Sequence, residues 1–344
     1  MTLRAAVIGV GAMGRHHARI YAELGATELV GVADPDAGNR ALVAERWRVD
    51  AFADHQTLLE SLAPDIVSVA VPTRLHLAVT RDCLAAGAHV LVEKPISATL
   101  AEGREMIALA QAARRTLMVG HVERFNPAVL ELKRRLDGGA LGRVFEVRAR
   151  RMGPFPARVR DVGVVIDLAA HDLDIMRWLI GGDVVRVSAE TAQRIHTDHE
   201  DLVSGVLRFA GGEIGAFNIN WLTPTKVREL SVTGERGMFV ANYLLQELDF
   251  FENRQADSHW DSLGGLQGVG EGDMTRLRID RREPLAEELS EFARCVADGL
   301  PAAVSGRDAL AALALARAVV TSGRDGVALT PDWPAADAPS DGRR

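Results

Sequence analysis

The sequence predicts two joined folds: an α/β half on a doubly wound parallel sheet, and an α+β half on an open, mainly antiparallel sheet with helices on one face. Three observations carry this. Apolar runs of strand length alternate with helical patterns up to about residue 120. The first of those runs enters a glycine-rich turn that opens a helix. Beyond residue 180, strand-length runs follow one another with only turn residues between them. A chain of 344 residues favours two domains and can bury a sizeable core without disulfides or metals. The expected division is 1–122, 123–332, and a mobile tail at 333–344 rich in Pro, Ala and Asp.

Ala5 to Gly9 is the first strand, and it runs into Gly9-Val10-Gly11-Ala12-Met13-Gly14 and a helix to Leu24. This is the dinucleotide-binding, or Rossmann, order. The first glycine allows the tight turn, the second lets backbone approach a pyrophosphate, and the third lets helix and strand pack closely. Helix amides then face the phosphates. A second apolar run, Leu29 to Ala33, ends in Asp34, twenty positions beyond Gly14. A carboxylate there accepts from the ribose hydroxyls and repels a 2′-phosphate, which selects NAD over NADP. Gly9, Gly11, Ala12, Met13, Gly14 and Asp34 are therefore expected to bind the cofactor.

A helix over Pro35–Trp47, a short strand at Phe52–Ala53 and a helix over His55–Leu62 follow. Asp65–Val71 is a continuous apolar strand of the kind buried on both faces of a parallel sheet, and it ends in Val71-Pro72-Thr73 at the edge where ligands bind. The helix Leu75–Ala86 carries His76 in its first turn. Strand His89–Val92 leads straight into Glu93-Lys94-Pro95, then come a helix over Thr99–Ala113 and a strand at Leu117–Val119.

In the second half, Pro127–Leu136 reads as a helix, Arg143–Arg151 as a half-buried strand, and Ile166–Ile180 as a helix stopped by Gly181-Gly182. Val184–Arg194, Leu202–Phe209, Ile214–Trp221 and Lys226–Thr233 are candidate strands, and their short meander connections imply antiparallel pairing. Asn253–Gly272 is long for a loop and is expected to be a functional flap, an arm on a neighbouring subunit, or disordered. Pro284–Asp298 and Arg307–Ser322 are amphipathic helices.

A net charge of −7 argues against nucleic acid or an anionic membrane as the main partner. Cys83 and Cys295 stand far apart, which suggests a reducing compartment and no structural zinc. With no leader pattern and no membrane-length apolar run, the expectation is a soluble, cytoplasmic protein.

Two places carry chemistry. Lys94 follows a buried strand at the sheet's carboxyl edge, and Pro95 keeps it out of helical geometry or adopts a cis bond. Such a lysine can donate a proton or hydrogen bond to a substrate oxygen, or simply end a strand in water. Asp167 and His171, at i and i+4 with Asp174 at i+7, put a carboxylate and an imidazole on one face of an otherwise apolar helix. They read as an orienting group and a general base, or as a structural ion pair; a metal site lacks a third spaced ligand. Ahead of them Arg143, Arg148, Arg150, Arg151, Arg158 and Arg160 put six guanidiniums into eighteen positions. That chemistry suits phosphate oxygens, with Arg151 and Arg158 favoured, and pairing with acidic residues is the competing reading.

The glycine turn, Asp34, Val71-Pro72-Thr73 with His76, Glu93-Lys94-Pro95, Gly120-His121 through Arg124-Phe125-Asn126-Pro127, and Asp167 with His171 resemble, in order and spacing, the Gfo/Idh/MocA oxidoreductase family. The resemblance spans both domains and implies hydride transfer between a nicotinamide cofactor and a secondary alcohol of a sugar or cyclitol. Lys94, Asp167 and His171 match the family's catalytic residues. Val71, Pro72, Thr73, His76, Glu93 and Lys94 are then expected around the cofactor, with Thr73 and Glu93 on its nicotinamide half. Lys94, Arg124, Asn126, Arg151, Arg158, Asp167 and His171 are expected around the substrate. A dimer or tetramer built on the open sheet is also implied. Within the family, the runs Gly120–Pro127 and Pro154–Asp167 look most like UDP-N-acetylglucosamine 3-dehydrogenases, so the expected substrate position is C3 of that nucleotide sugar. Alternatives are another nucleotide sugar, a free sugar or inositol, or a non-catalytic NAD-binding regulator. A pure binder has no need of Lys94, Asp167 and His171 together.

Overall fold

The computed structural model describes residues 2–156, 162–196, 198–255 and 269–333. The chain forms two compact units, Met1–Val122 with Glu283–Ala314 and Asp332–Arg344, and Glu123–Arg282 with Leu315–Pro331. Residues 283–314, which follow the second half in sequence, thus belong with the first. Packing explains the return. Helix α8 (Pro284–Ala297) turns Leu285, Leu289, Phe292 and Ala293 inward, and Val304 accepts a backbone hydrogen bond from Val119 in the first sheet.

That sheet has the order β3-β2-β1-β4-β5-β6, from Asp50–Phe52, Thr27–Ala33, Leu3–Ile8, Ile66–Val69, His89–Glu93 and Leu117–Gly120. All its pairings are parallel. Every residue of β4 is buried, as a central strand covered on both faces requires. Helices α2 (Ala37–Trp47), α3 (His55–Leu62) and α5 (Leu100–Ala113) start at side-chain caps from Asp36, Asp54 and Thr99, the last in a capping box with Glu102. Helices α1 (Gly14–Glu23) and α4 (His76–Ala85) follow β1 and β4.

The second unit holds an eight-stranded sheet in the order β14-β13-β12-β11-β7-β10-β9-β8. Its strands are β7 Val144–Pro154, β8 Val184–Ala192, β9 Leu202–Phe209, β10 Ile214–Asn220, β11 Leu222–Gly234, β12 Gly237–Asn242, β13 Glu247–Gln255 and β14 Val269–Leu277. The mainly antiparallel sheet is as expected, but the meander breaks at one point. β10 and β11 are not partners: β7 lies between them, parallel to β10 and antiparallel to β11. Strand order in such a sheet depends on which apolar faces meet, not on connection length alone. Helices α6 (Pro127–Asp137) and α7 (Ala170–Ile180) belong to this unit, and α9 (Gly306–Asp325) is divided between the two. The ends of the expected long loop at 253–272 are strand, in β13 and β14. Its middle, 256–268, lies outside the described residues, as does the tail from 334. Among the described residues no helix is long and apolar enough to cross a membrane.

Candidate functional site

The cofactor half of the site is built at the carboxyl ends of β1, β2, β4 and β5. Gly9 takes φ +83°, and a Cβ there would lie 2.7 Å from the Ala70 carbonyl oxygen. A Cβ on Gly14 would strike the Gly9 carbonyl oxygen at 1.7 Å, whereas one on Gly11 would meet nothing within 4 Å. The turn is therefore closed on the sheet side and open above Gly11, where a pyrophosphate needs room. Unlike α2, α3 and α5, helix α1 has no side-chain cap. The Arg15 and His16 amides are taken by the Gly11 and Met13 carbonyls, so the donors an anion requires come from the turn ahead of them, where Ala12 and Met13 are exposed. Asp34 is fixed by the amides of Val10 at 2.8 Å and Asp36 at 2.9 Å. Each carboxylate oxygen retains lone-pair capacity for a ribose hydroxyl. These residues fit a bound NAD.

At the end of β4, Val71, Pro72 and Thr73 reach the same edge, and Thr73–Leu75 forms a single 3₁₀ turn. His76 has a different job from the one its position suggests. It is 1 % exposed, with Nδ1 3.0 Å from the Pro95 carbonyl and Nε2 3.0 Å from that of Val71. Burial lowers its pKa against the pull of those carbonyls. Turned inward, the ring lies between the carbonyls at the β4 and β5 ends rather than standing open at the surface. The Lys94–Pro95 peptide is cis.

Glu93 lies against Gly120, where a Cβ would come within 3.1 Å of its carboxylate. Its Oε1 is 3.0 Å from His17 Nε2, and its Oε2 accepts from the Lys94 amide at 3.2 Å. Burial raises the Glu93 pKa, but the His17 contact and the Lys94 charge outweigh it and hold the carboxyl below its ordinary range. Lys94 itself is half-buried. Sequence reading missed His17, whose only local signal is a histidine three residues into a helix that otherwise buries small and apolar groups there.

In the second unit the expected helix Ile166–Ile180 begins as a π-helical turn, Val165–Ala169, before α7 takes over. Wide turns of this kind cluster at functional sites. Asp167 sits in the π-turn and His171 in the first turn of α7, both half-buried. Glu200 anchors the start of the turn. Its carbonyl accepts from Val164 at 2.9 Å and its carboxylate from Val165 at 3.2 Å. That carboxylate occupies the space beside Gly163, where a Cβ would approach it to 2.1 Å.

Most of the expected substrate-binding arginines are committed elsewhere. Arg151 is 1 % exposed, bonded to Asp172 at 2.5 and 3.1 Å and to Glu123 at 2.8 Å. Although burial opposes it, Asp172 and Glu123 hold the guanidinium firmly cationic. Arg124 makes a bidentate pair with Asp174 at 2.7 and 2.6 Å, so Asp174 does not extend the Asp167–His171 stripe. Asn126 caps α6 and donates to the Tyr243 carbonyl at 3.1 Å. Arg143, Arg148 and Arg150 pair with Glu235, Glu146 and Glu229. Arg158 and Arg160 lie outside the described residues.

The period of a strand could have separated these arginines. Arg151 shares its face with buried Val147 and Ala149, whereas Arg148 and Arg150 point the other way. The guanidinium that sequence reading missed is Arg228 on β11. Its side chain is 33 % exposed and lies 3.5 Å from Glu123. Burial and the Arg151 charge lower its pKa, while Glu123, Asp172 and Asp167 oppose them.

Residues 3–121 match the oxidoreductase family with an NAD-binding Rossmann fold, and residues 129–240 match the GFO/IDH/MocA C-terminal domain. The UDP-N-acetylglucosamine 3-dehydrogenase of Acidithiobacillus ferrooxidans is 30 % identical over 92 % of this chain and 97 % of its own. Its solved structure covers 94 % of this chain and 97 % of that one, at 28 % identity and a TM-score of 0.83. Inositol 2-dehydrogenase 1 of Saccharopolyspora erythraea is 30 % identical over 95 % of both chains. With its glycine turn, Asp34 and Glu93-Lys94-Pro95 in place on this fold, the chain belongs to the Gfo/Idh/MocA family, as an NAD-binding oxidoreductase acting on CH–OH groups.

Proposed function

We propose that the protein oxidises a secondary alcohol of a nucleotide-activated amino sugar, the 3-hydroxyl of UDP-N-acetylglucosamine, to the 3-ketone. The observation that carries this is end-to-end similarity to an enzyme of that name, in sequence and in fold. The chemistry NAD supplies when bound is acceptance of hydride at its nicotinamide ring. The chain's own groups handle the proton and the geometry. Lys94 donates a hydrogen bond to the substrate oxygen, His171 takes the hydroxyl proton as the C–H bond breaks and C=O forms, and Asp167 orients the acceptor. General-base help of this kind is worth roughly 10² to 10⁴ in rate. Arg228, partly exposed and within electrostatic reach of Asp167, takes over from Arg151 as the guanidinium offered to a diphosphate. The outward strand face with Arg148, Arg150 and the exposed Val206 is our candidate surface for a homo-oligomer.

A second reading is oxidation of an uncharged cyclitol or sugar. It is favoured by the inositol dehydrogenase relative and by the commitment of Arg124 and Arg151 to internal acids. The two separate in one assay. Purified protein with NAD and either UDP-N-acetylglucosamine, myo-inositol or glucose is followed by the absorbance of reduced nicotinamide. Turnover of the nucleotide sugar alone supports the first reading, and turnover of inositol alone replaces it with the second.

A further inference from the structure

Behind Glu93 lies a polar chain sealed inside the first unit. Tyr21 Oη is 2.8 Å from Ser68 Oγ, which is 3.0 Å from His17 Nδ1, and His17 Nε2 is 3.0 Å from Glu93 Oε1. Tyr21, Ser68 and His17 are fully buried. Beside this chain, on α8, sits Glu288, 0 % exposed, with neither carboxyl oxygen hydrogen-bonded among the described residues. A buried carboxyl with no partner is rare and calls for a reason. An apolar residue there would fill the space at no desolvation cost.

The groups that feel its charge are Glu93, at the end of β5, and Tyr21, on α1, which packs against α8. The remaining charged groups of that neighbourhood are His17, Lys94 beyond Glu93, and the Arg19–Glu283 pair at the rim of the α1–α8 packing. Among the described residues no cation faces Glu288 directly. Two neighbouring carboxyls, one of them fully buried, do not both ionise readily. Glu93 has His17 and Lys94 to hold it as the anion, so the proton resides on Glu288, whose pKa burial and the Glu93 charge raise well above its ordinary value.

We propose that Glu288 is the proton store of the cofactor half-site: it holds a proton beside Glu93 and releases it to solvent when NAD binds in its oxidised form, whose nicotinamide ring is cationic. The preference for oxidised over reduced cofactor therefore grows with pH. The inference rests on Glu93 facing the nicotinamide half of the cofactor. A cationic ring there stabilises a second negative charge behind it, and the neutral reduced ring does not. By linkage, a tenfold change in relative affinity accompanies every tenfold change in the acidity of Glu288 between the two complexes.

Calorimetric titration of the unmodified protein with NAD+ and with NADH, in two buffers of different protonation enthalpy from pH 6 to 9, counts the protons released. The expected result is greater release with NAD+ than with NADH, and a ratio of Kd(NADH) to Kd(NAD+) that climbs with pH by roughly threefold to tenfold. In Glu288→Gln, which mimics the protonated acid, both differences vanish. Equal proton release by the two cofactor forms in the unmodified protein overturns the inference, and so does a pH-dependent ratio that survives in Glu288→Gln. A Glu93→Gln variant separates the two layers of argument. If it binds both cofactor forms as the unmodified protein does, the placement of Glu93 is what fails.

Discussion

The two units differ in what holds most of their candidate-site residues, apart from the side-chain run Tyr21–Ser68–His17–Glu93 in the first. In the first, functional groups at the strand ends are held by backbone: Asp34 by two amides, His76 by three carbonyls, Glu93 partly by the Lys94 amide. In the second, side chains hold side chains across long stretches of sequence, Arg151 with Asp172 and Glu123 at separations of 21 and 28, and Arg124 with Asp174 at 50. Backbone partners are fixed by local turn chemistry, so they can be read from a motif. Distant ion pairs form only when the whole sheet is assembled, and a row of arginines in sequence says little about what each one meets.

Substitutions can break or sharpen that contrast. The largest expected effect is on turnover: Lys94→Ala or His171→Ala lowers kcat by roughly 10² to 10⁴ and leaves NAD affinity nearly unchanged in a binding titration. Unaltered kcat removes the proton-transfer assignment. Next comes the lattice of the second unit. Arg151→Ala leaves Asp172 without its bonded guanidinium and Glu123 with Arg228 alone, and is expected to lower the unfolding free energy by about 3–5 kcal/mol in urea, with Arg151→Met, which keeps the stem, no better unless Asp172 is also made neutral.

In the first unit, Asp34→Ser should move the ratio of specificity constants from NAD toward NADP; an unchanged ratio shows that the backbone-held carboxylate does not select the cofactor. Glu288→Gln should raise the melting temperature progressively with pH. A carboxyl whose folded pKa lies above its unfolded value, about 4.5, contributes stability that is present below that pH and lost as pH rises toward the folded value. The loss amounts to about 1.4 kcal/mol for every pH unit that separates the two pKa values. The variant therefore matches the parent near pH 4.5 and exceeds it at about pH 8. Smallest of all, Arg148→Ala, three positions from Arg151 but on the outward face, should change stability by no more than about 0.5 kcal/mol.

The same contrast marks what the sequence disclosed. The parallel sheet, the glycine turn, Asp34 and the Glu93-Lys94-Pro95 strand end were legible because each is a local rule about turns, caps or strand burial. The inward turn of His76 was not, since the carbonyls it meets come from two separate strand ends. The π-turn under Asp167 depends on Glu200, which bonds Val165 across 35 positions, and helical periodicity alone reads it as an ordinary α-helix. β7 lies between β10 and β11 because of sheet-wide packing that no connection length reveals. Arg151 was partly legible, through the alternation it shares with Val147 and Ala149, but its partners Asp172 and Glu123 lie 21 and 28 positions away.

Chain routing also bears on how the protein is made. The nucleotide-binding motif leaves the ribosome well before α8 and the first turns of α9, which belong to its unit but follow the whole of residues 123–282. Until α8 (Pro284–Ala297) has emerged, the face of α1 that it covers stays open to solvent. A nascent chain thus carries every cofactor residue long before it has a closed nucleotide domain, and a product ending at residue 282 retains the whole motif while lacking the helix that seals it.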